Sequence, residues 1–247
     1  MATYSTAFLV MVGVVTFIIS LSKGGLGGML GALSTPLMVM VMPANKVLGL
    51  LLPIMLVADL FALAIHWKKW NARLVGLLLP GAVIGVTLGT IFLAKAPVGL
   101  FKTVLAVIAL SFVVYKILEK RIIRSINYVE KNWHGWLAGA ASGFISSITH
   151  SGGSPIINYI MLLDVTPQVF VATSVLFFAI LNWIKVPYYL YIHLFDFQQS
   201  LRLAWVLPIV PVGALFGHWI ASKISKQVFD WIMTALLALA GILLLVY

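Results

Sequence analysis

The sequence predicts an all-α polytopic membrane protein with about ten membrane segments in two inverted repeats of five, a broken or re-entrant helix pair opening each repeat. Composition is the first reason. Of 247 residues, 62% are hydrophobic and 9% charged, whereas soluble domains are about a quarter charged; mean hydropathy is +1.11. Segment length is the second, and a motif that recurs at one offset is the third. The net charge of +10 fits the basic cytoplasmic loops of membrane proteins in general and assigns no cargo.

Taken in order, apolar runs lie near 5–22, 26–42, 47–67, 73–94, 98–118, 134–149, 167–192, 201–222 and 227–246. Most match the ~20 residues a helix needs to cross ~30 Å of hydrocarbon. No Lys or Arg precedes the first run, so it reads as a retained helix rather than a secretory signal. The run 154–163 is too short to span and is read as half of a broken or re-entrant helix. A polar connection at 119–133 divides the chain into a first membrane repeat, 1–118, and a second, 134–247.

The repeat shows in two blocks. "LPGAVIGVTLGTIFLAK" and "LPIVPVGALFGHWIASK" align Pro80, Gly85, Gly89 and Lys95 with Pro208, Gly213, Gly217 and Lys223, always 128 residues apart. Glycines four apart let helix backbones approach closely. An odd number of segments per repeat inverts the second. On this count Lys68, Lys69, Arg73, Lys116, Lys120, Arg121, Arg124, Lys131, Lys223 and Lys226 share one side, and Lys46, Lys95, Lys102 and Arg202 the other. The richer side is cytoplasmic by the positive-inside rule. That places the chain in a plasma membrane, the inner membrane of a bacterium, with both termini outside.

Polar residues inside apolar runs mark candidate chemistry. Each repeat has a glycine-pair break after its first helix: Lys23-Gly24-Gly25 in one, His150-Ser151-Gly152-Gly153 in the other, with Asn158 following. A helix that starts after such a break aims free N–H groups and a positive dipole end into the gap, which favours an anion. The competing reading is a pair of interfacial turns, with Lys23 snorkelling to headgroups. Lys185 and Asn182 lie within the run 167–192 near Pro187. They read as cavity-lining groups, or else Lys185 snorkels. Asp59 is the one acid deep in an apolar run. It pairs with Lys23 or Lys185, relays a proton or cation together with His150, or bonds its own helix. His66 and the tryptophans 67, 70, 133, 136, 219 and 231 read as an interfacial belt.

Several classes are excluded. The chain has no cysteine, hence no disulfide or thiolate chemistry. It has no H-E-x-x-H or P-loop pattern, and adjacent His150 and Ser151 lack a third orienting group, so no enzyme is expected. No cofactor, metal or nucleic acid is implied; a homo-oligomer is left open.

The segments "SKGGLGGMLGALSTPLM" at 22–38, "HSGGSPIINY" at 150–159 and "FFAILNWIKVPYY" at 177–189, with the two Leu-Pro blocks, resemble the TauE/SafE family. The resemblance runs in order over nearly the whole chain. It implies a ten-segment, two-repeat fold and movement of small sulfur-containing anions such as sulfite, sulfoacetate or other sulfonates across the bilayer. A passive anion channel with the same basic lining is the alternative. A proton-coupled cation or metal carrier centred on Asp59 and His150 is a second.

Overall fold

A computed structural model describes residues 5–28, 31–97, 131–163 and 165–221, with a few isolated positions besides. The expected segments 98–118 and 227–246, and most of the connection 119–133, lie outside the described residues. Within them the chain is helical. Five stretches are long and apolar enough to cross a membrane: Thr6–Gly25, Lys46–Ile65, Ala72–Lys95, Gln168–Tyr191 and Ala204–Ala221.

Helix α1 (Thr6–Gly25) opens on Ser5, whose hydroxyl accepts from the Phe8 amide at 3.2 Å. α2 (Gly31–Val39) follows a turn, and α3 (Ala44–Ile65) begins behind Pro43. α4 (Ala72–Lys95) is capped by Asn71, which accepts from Leu74 N at 3.1 Å. Next come α5 (Asn132–Thr149) and α6 (Gly153–Met161). α7 (Pro167–Tyr191) starts with a Thr166 cap and a proline in its first turn, where no backbone N–H is needed. α8 (Phe197–Arg202), a 3₁₀ turn (Ala204–Val206) and α9 (Ile209–Ala221) complete the set.

Of the two forms open to the run 26–42, a crossing or part of a broken helix pair, the described residues take the broken one. Gly27 and Gly28 adopt left-handed φ of 61° and 88°, which glycine alone reaches freely, and the next described helix starts at Gly31. Pro43 disfavours helix in the residue before it, and α2 has closed by Val39. Its nine residues cover about 14 Å, too little to span. α6 also has nine, so both breaks lead into helices of equal length. The run 201–222 keeps a stretch long enough to cross, Ala204–Ala221, but starts irregularly: continuous α-helix begins only after Pro208, which has no N–H to extend the ladder.

Helices of the first half pack crosswise on helices of the second. α1 lies on α9, and α4 on α5. Glycine makes both contacts close. A Cβ on Gly85 would fall on the Ala140 carbonyl, and one on Gly143 on the Ala82 carbonyl. In the other pair Gly24 meets Ala214 and Gly217 meets Leu21 in the same backbone-to-backbone fashion. The aligned glycines 85 and 213 thus both serve helix contacts, on α5 and on α1. One apolar cluster gathers Val12, Val15 and Ile19 with Leu51, Met55 and Val210. A second joins Leu78, Val86, Ile156, Ile160, Phe177 and Leu181.

Candidate functional site

A chain of polar side chains links α1, α3, α7 and α5. Lys23, in the last turn of α1 and 6% exposed, donates to Asp59 Oδ1 on α3. The other Asp59 oxygen accepts from Asn182 Nδ2 on α7 at 2.7 Å. Lys185 follows Asn182 by one helical turn and is 0% exposed. Its Nζ lies 3.1 Å from Ser146 Oγ, 3.5 Å from the Ser146 carbonyl and 3.0 Å from His150 Nδ1.

The hydrogen-bond network assigns the tautomer of His150. Its Nε2 sits 2.9 Å from the Leu48 carbonyl, which can only accept. The ring proton is therefore on Nε2, and the Nδ1 lone pair accepts from Lys185. His150 ends α5 in the left-handed region, φ 56°, which turns its ring back toward α7. Tyr189, one turn beyond Lys185, packs on that ring and donates to the Ser147 carbonyl at 2.6 Å.

The two breaks touch. Thr35 Oγ1 of α2 donates to the Thr149 carbonyl at 2.6 Å, and Gly31 lies against the His150 carbonyl. Lys23 and His150, from the corresponding breaks, each reach a charged group on a long helix of their own half: Asp59 on α3 and Lys185 on α7. Asn182 joins the two pairs through Asp59.

The remaining candidates occupy other roles. Gly24 and Gly25 lie inside α1, pressed on Ala214 and Gly217, and the break opens only at Leu26. Ser151 turns back on its own helix end, its N–H and hydroxyl both bonded to Thr149. The Gly152 carbonyl accepts from Ser142 Oγ at 2.5 Å, and Gly153 starts α6. Asn158 is half-buried on α6, with no hydrogen bond to the Lys185–His150 pair. Lys23 and Lys185 are both buried, so neither reaches a headgroup region by snorkelling in this conformation.

His66 leaves the expected interfacial belt and is buried, Nε2 donating to the Gly24 carbonyl at 2.8 Å. Burial holds its pKa below the usual 6.5 against the pull of that bond, and His218 and Lys69 push the same way as burial. A neutral His66 thus closes the C-terminal end of α1. Trp67, Trp133, Trp136, Trp219 and Trp231 are exposed.

Sequence reasoning did not single out Ser146, Thr35 or Tyr189. Helical spacing carried a signal for two of them: Ser146 precedes His150 by one turn, and Tyr189 follows Lys185 by one. Among the described residues Asp59 is the one buried carboxylate, against two buried ammonium groups. Such a cluster can hold an anion.

A family model described as Sulfite exporter TauE/SafE matches residues 12–244 of the chain. No curated protein and no solved structure gives a match. Family and apolar helices together make the molecule an integral-membrane transporter of a small anion, not an enzyme. The chain belongs to the TauE/SafE family of sulfite exporters.

Proposed function

We propose that the chain is a secondary transporter that exports sulfite or short organosulfonates, moving them by alternating access between two inverted five-segment repeats. The observation that carries this reading is Lys185: fully buried, and without a carboxylate partner among the described residues. An isolated buried charge is strongly disfavoured unless something pairs with it. A sulfur oxyanion supplies that pair, with the Ser146 hydroxyl beside it as a further donor.

Three features support two inverted repeats: the 128-residue motif offset, the matching nine-residue helices after each break, and the crosswise pairing of α1 with α9 and α4 with α5. Broken helices at corresponding places are typical of transporter sites. Export of an anion gains about 2.3 kcal/mol per charge per 100 mV from a negative interior. A cation carrier centred on Asp59 fits less well, because both Asp59 oxygens are already bonded, to Lys23 and Asn182.

The test is ligand stabilisation and flux. At about 100 times its Kd, sulfite or methanesulfonate adds about 2.7 kcal/mol to the purified protein, read as a rise in melting temperature that choline chloride does not give. Sulfite flux in proteoliposomes saturates and shows counter-transport. Absence of any anion effect sinks the reading, and unsaturable flux turns it into a channel.

Orientation is tested separately, and the cysteine-free chain gives no background. An impermeant maleimide is expected to label Arg202→Cys but not Lys69→Cys in intact cells; both positions are exposed. The reverse pattern places both termini inside.

A further inference from the structure

The charge of the buried cluster can be counted. Lys23 brings one ammonium and Asp59 one carboxylate, and the two meet directly. Lys185, buried and without a carboxylate partner among the described residues, brings a second ammonium when an anion lies beside it to hold the proton. His150 adds no charge, because its one ring proton faces the Leu48 carbonyl and its free lone pair faces Lys185. A second proton on His150 would set an N–H against the ammonium hydrogens. Asn182 and Ser146 are neutral. The cluster therefore carries one net positive charge.

An anion with one negative charge brings that sum to zero. An anion with two leaves a buried negative charge uncompensated, which a poorly hydrated site resists strongly. Building on the anion-transport reading above, we infer that the site selects singly charged oxyanions, namely monoanionic sulfonates and the singly protonated form of sulfite. Asp59 sets that selectivity. It does so without touching the cargo, by cancelling Lys23 and leaving Lys185 as the one uncompensated charge. Bonds from Lys23 and Asn182 to its two oxygens hold the carboxylate in place for that task.

Methanesulfonate and sulfate make a matched pair of probes: both are compact tetrahedra with at least three sulfur-bound oxygens, and they differ by one unit of charge. Wild-type protein is expected to bind methanesulfonate more tightly than sulfate by roughly tenfold or more, the scale of one unpaired buried charge. Asp59→Asn raises the cluster to two positive charges and shifts the affinity ratio toward sulfate by roughly tenfold or more. The double variant Lys23→Met, Asp59→Asn returns the count to one, with no new buried charge, and restores the preference for methanesulfonate. The double variant also covers the case in which Asp59→Asn alone fails to fold. Equal wild-type affinity for the two probes overturns the inference, as does a double variant that prefers sulfate. Those results leave anion transport standing. Wild-type protein that binds neither probe nor sulfite removes the anion-transport reading itself, and the selectivity with it.

Discussion

Lys185→Met removes anion binding and leaves the empty protein folded and no less stable. The methionine fills nearly the volume of the lysine stem, so the packing of α7 persists. What disappears is an ammonium that no carboxylate balances among the described residues. Exchanging buried charge for an apolar side chain is often neutral or stabilising. In the anion-bound state the same exchange strips the cargo of its counter-charge, and truncating one partner of a buried charge pair costs about 2–5 kcal/mol. The Kd for sulfite therefore rises by roughly 30-fold or more. Titration of purified protein, with a melting curve of the empty state beside it, reads both effects. An unchanged Kd would return Lys185 to a structural role, and a collapsed melting temperature would show that its bonds to Ser146 and His150 hold the fold.

Gly24→Ala has the opposite signature: the fold fails, whatever anion is present. The added Cβ falls on the Ala214 carbonyl of α9, backbone against backbone, where no rotamer change gives relief. Overpacking usually costs about 1–3 kcal/mol. Two rigid helices that must part belong at the upper end of that range or above it. The internal control is Gly76→Ala on α4, where a Cβ meets nothing within 4 Å; there the change stabilises by about 0.5–1 kcal/mol through lower backbone entropy in the unfolded chain. Monodisperse yield after detergent extraction separates the two. Normal yield and stability for Gly24→Ala would mean that the α1–α9 contact yields more readily than its geometry allows.

How much of this was legible depended on which physical signal was unambiguous. The long helices α3, α4 and α7 follow their apolar runs closely, because length and end signals agree: Asn71 and Thr166 cap where the runs begin. α2 was ambiguous, since 26–42 is long enough to cross although Ser34, Thr35 and Pro36 interrupt its apolar pattern. The glycines before it and Pro43 after it pointed to a break, and their effect depends on dihedral angles. The site divides in the same way. Charges within apolar runs identified Lys23, Asp59 and Lys185, because membrane interiors penalise any ion. Their partners were open, because a pair such as Asp59 and Asn182 is set by how α3 and α7 meet in space. Gly24 and Gly25 were read as anion donors, yet glycine serves close packing equally well, and the helix ran three residues further than expected.

The crosswise pairing of α1 with α9 has a consequence for biogenesis. Gly24 leaves the ribosome some 190 residues ahead of Ala214, the backbone it rests on. At 5–20 residues per second, that is about 10 to 40 seconds of synthesis. During that interval α1 has to live in lipid on its apolar surface alone, and Lys23 stays uncompensated until α3 delivers Asp59. α4 likewise waits for α5. Neither half can close its own glycine seams, so maturation has two stages: the α4–α5 seam closes as the second half begins to emerge, and the α1–α9 seam only once α9 is made.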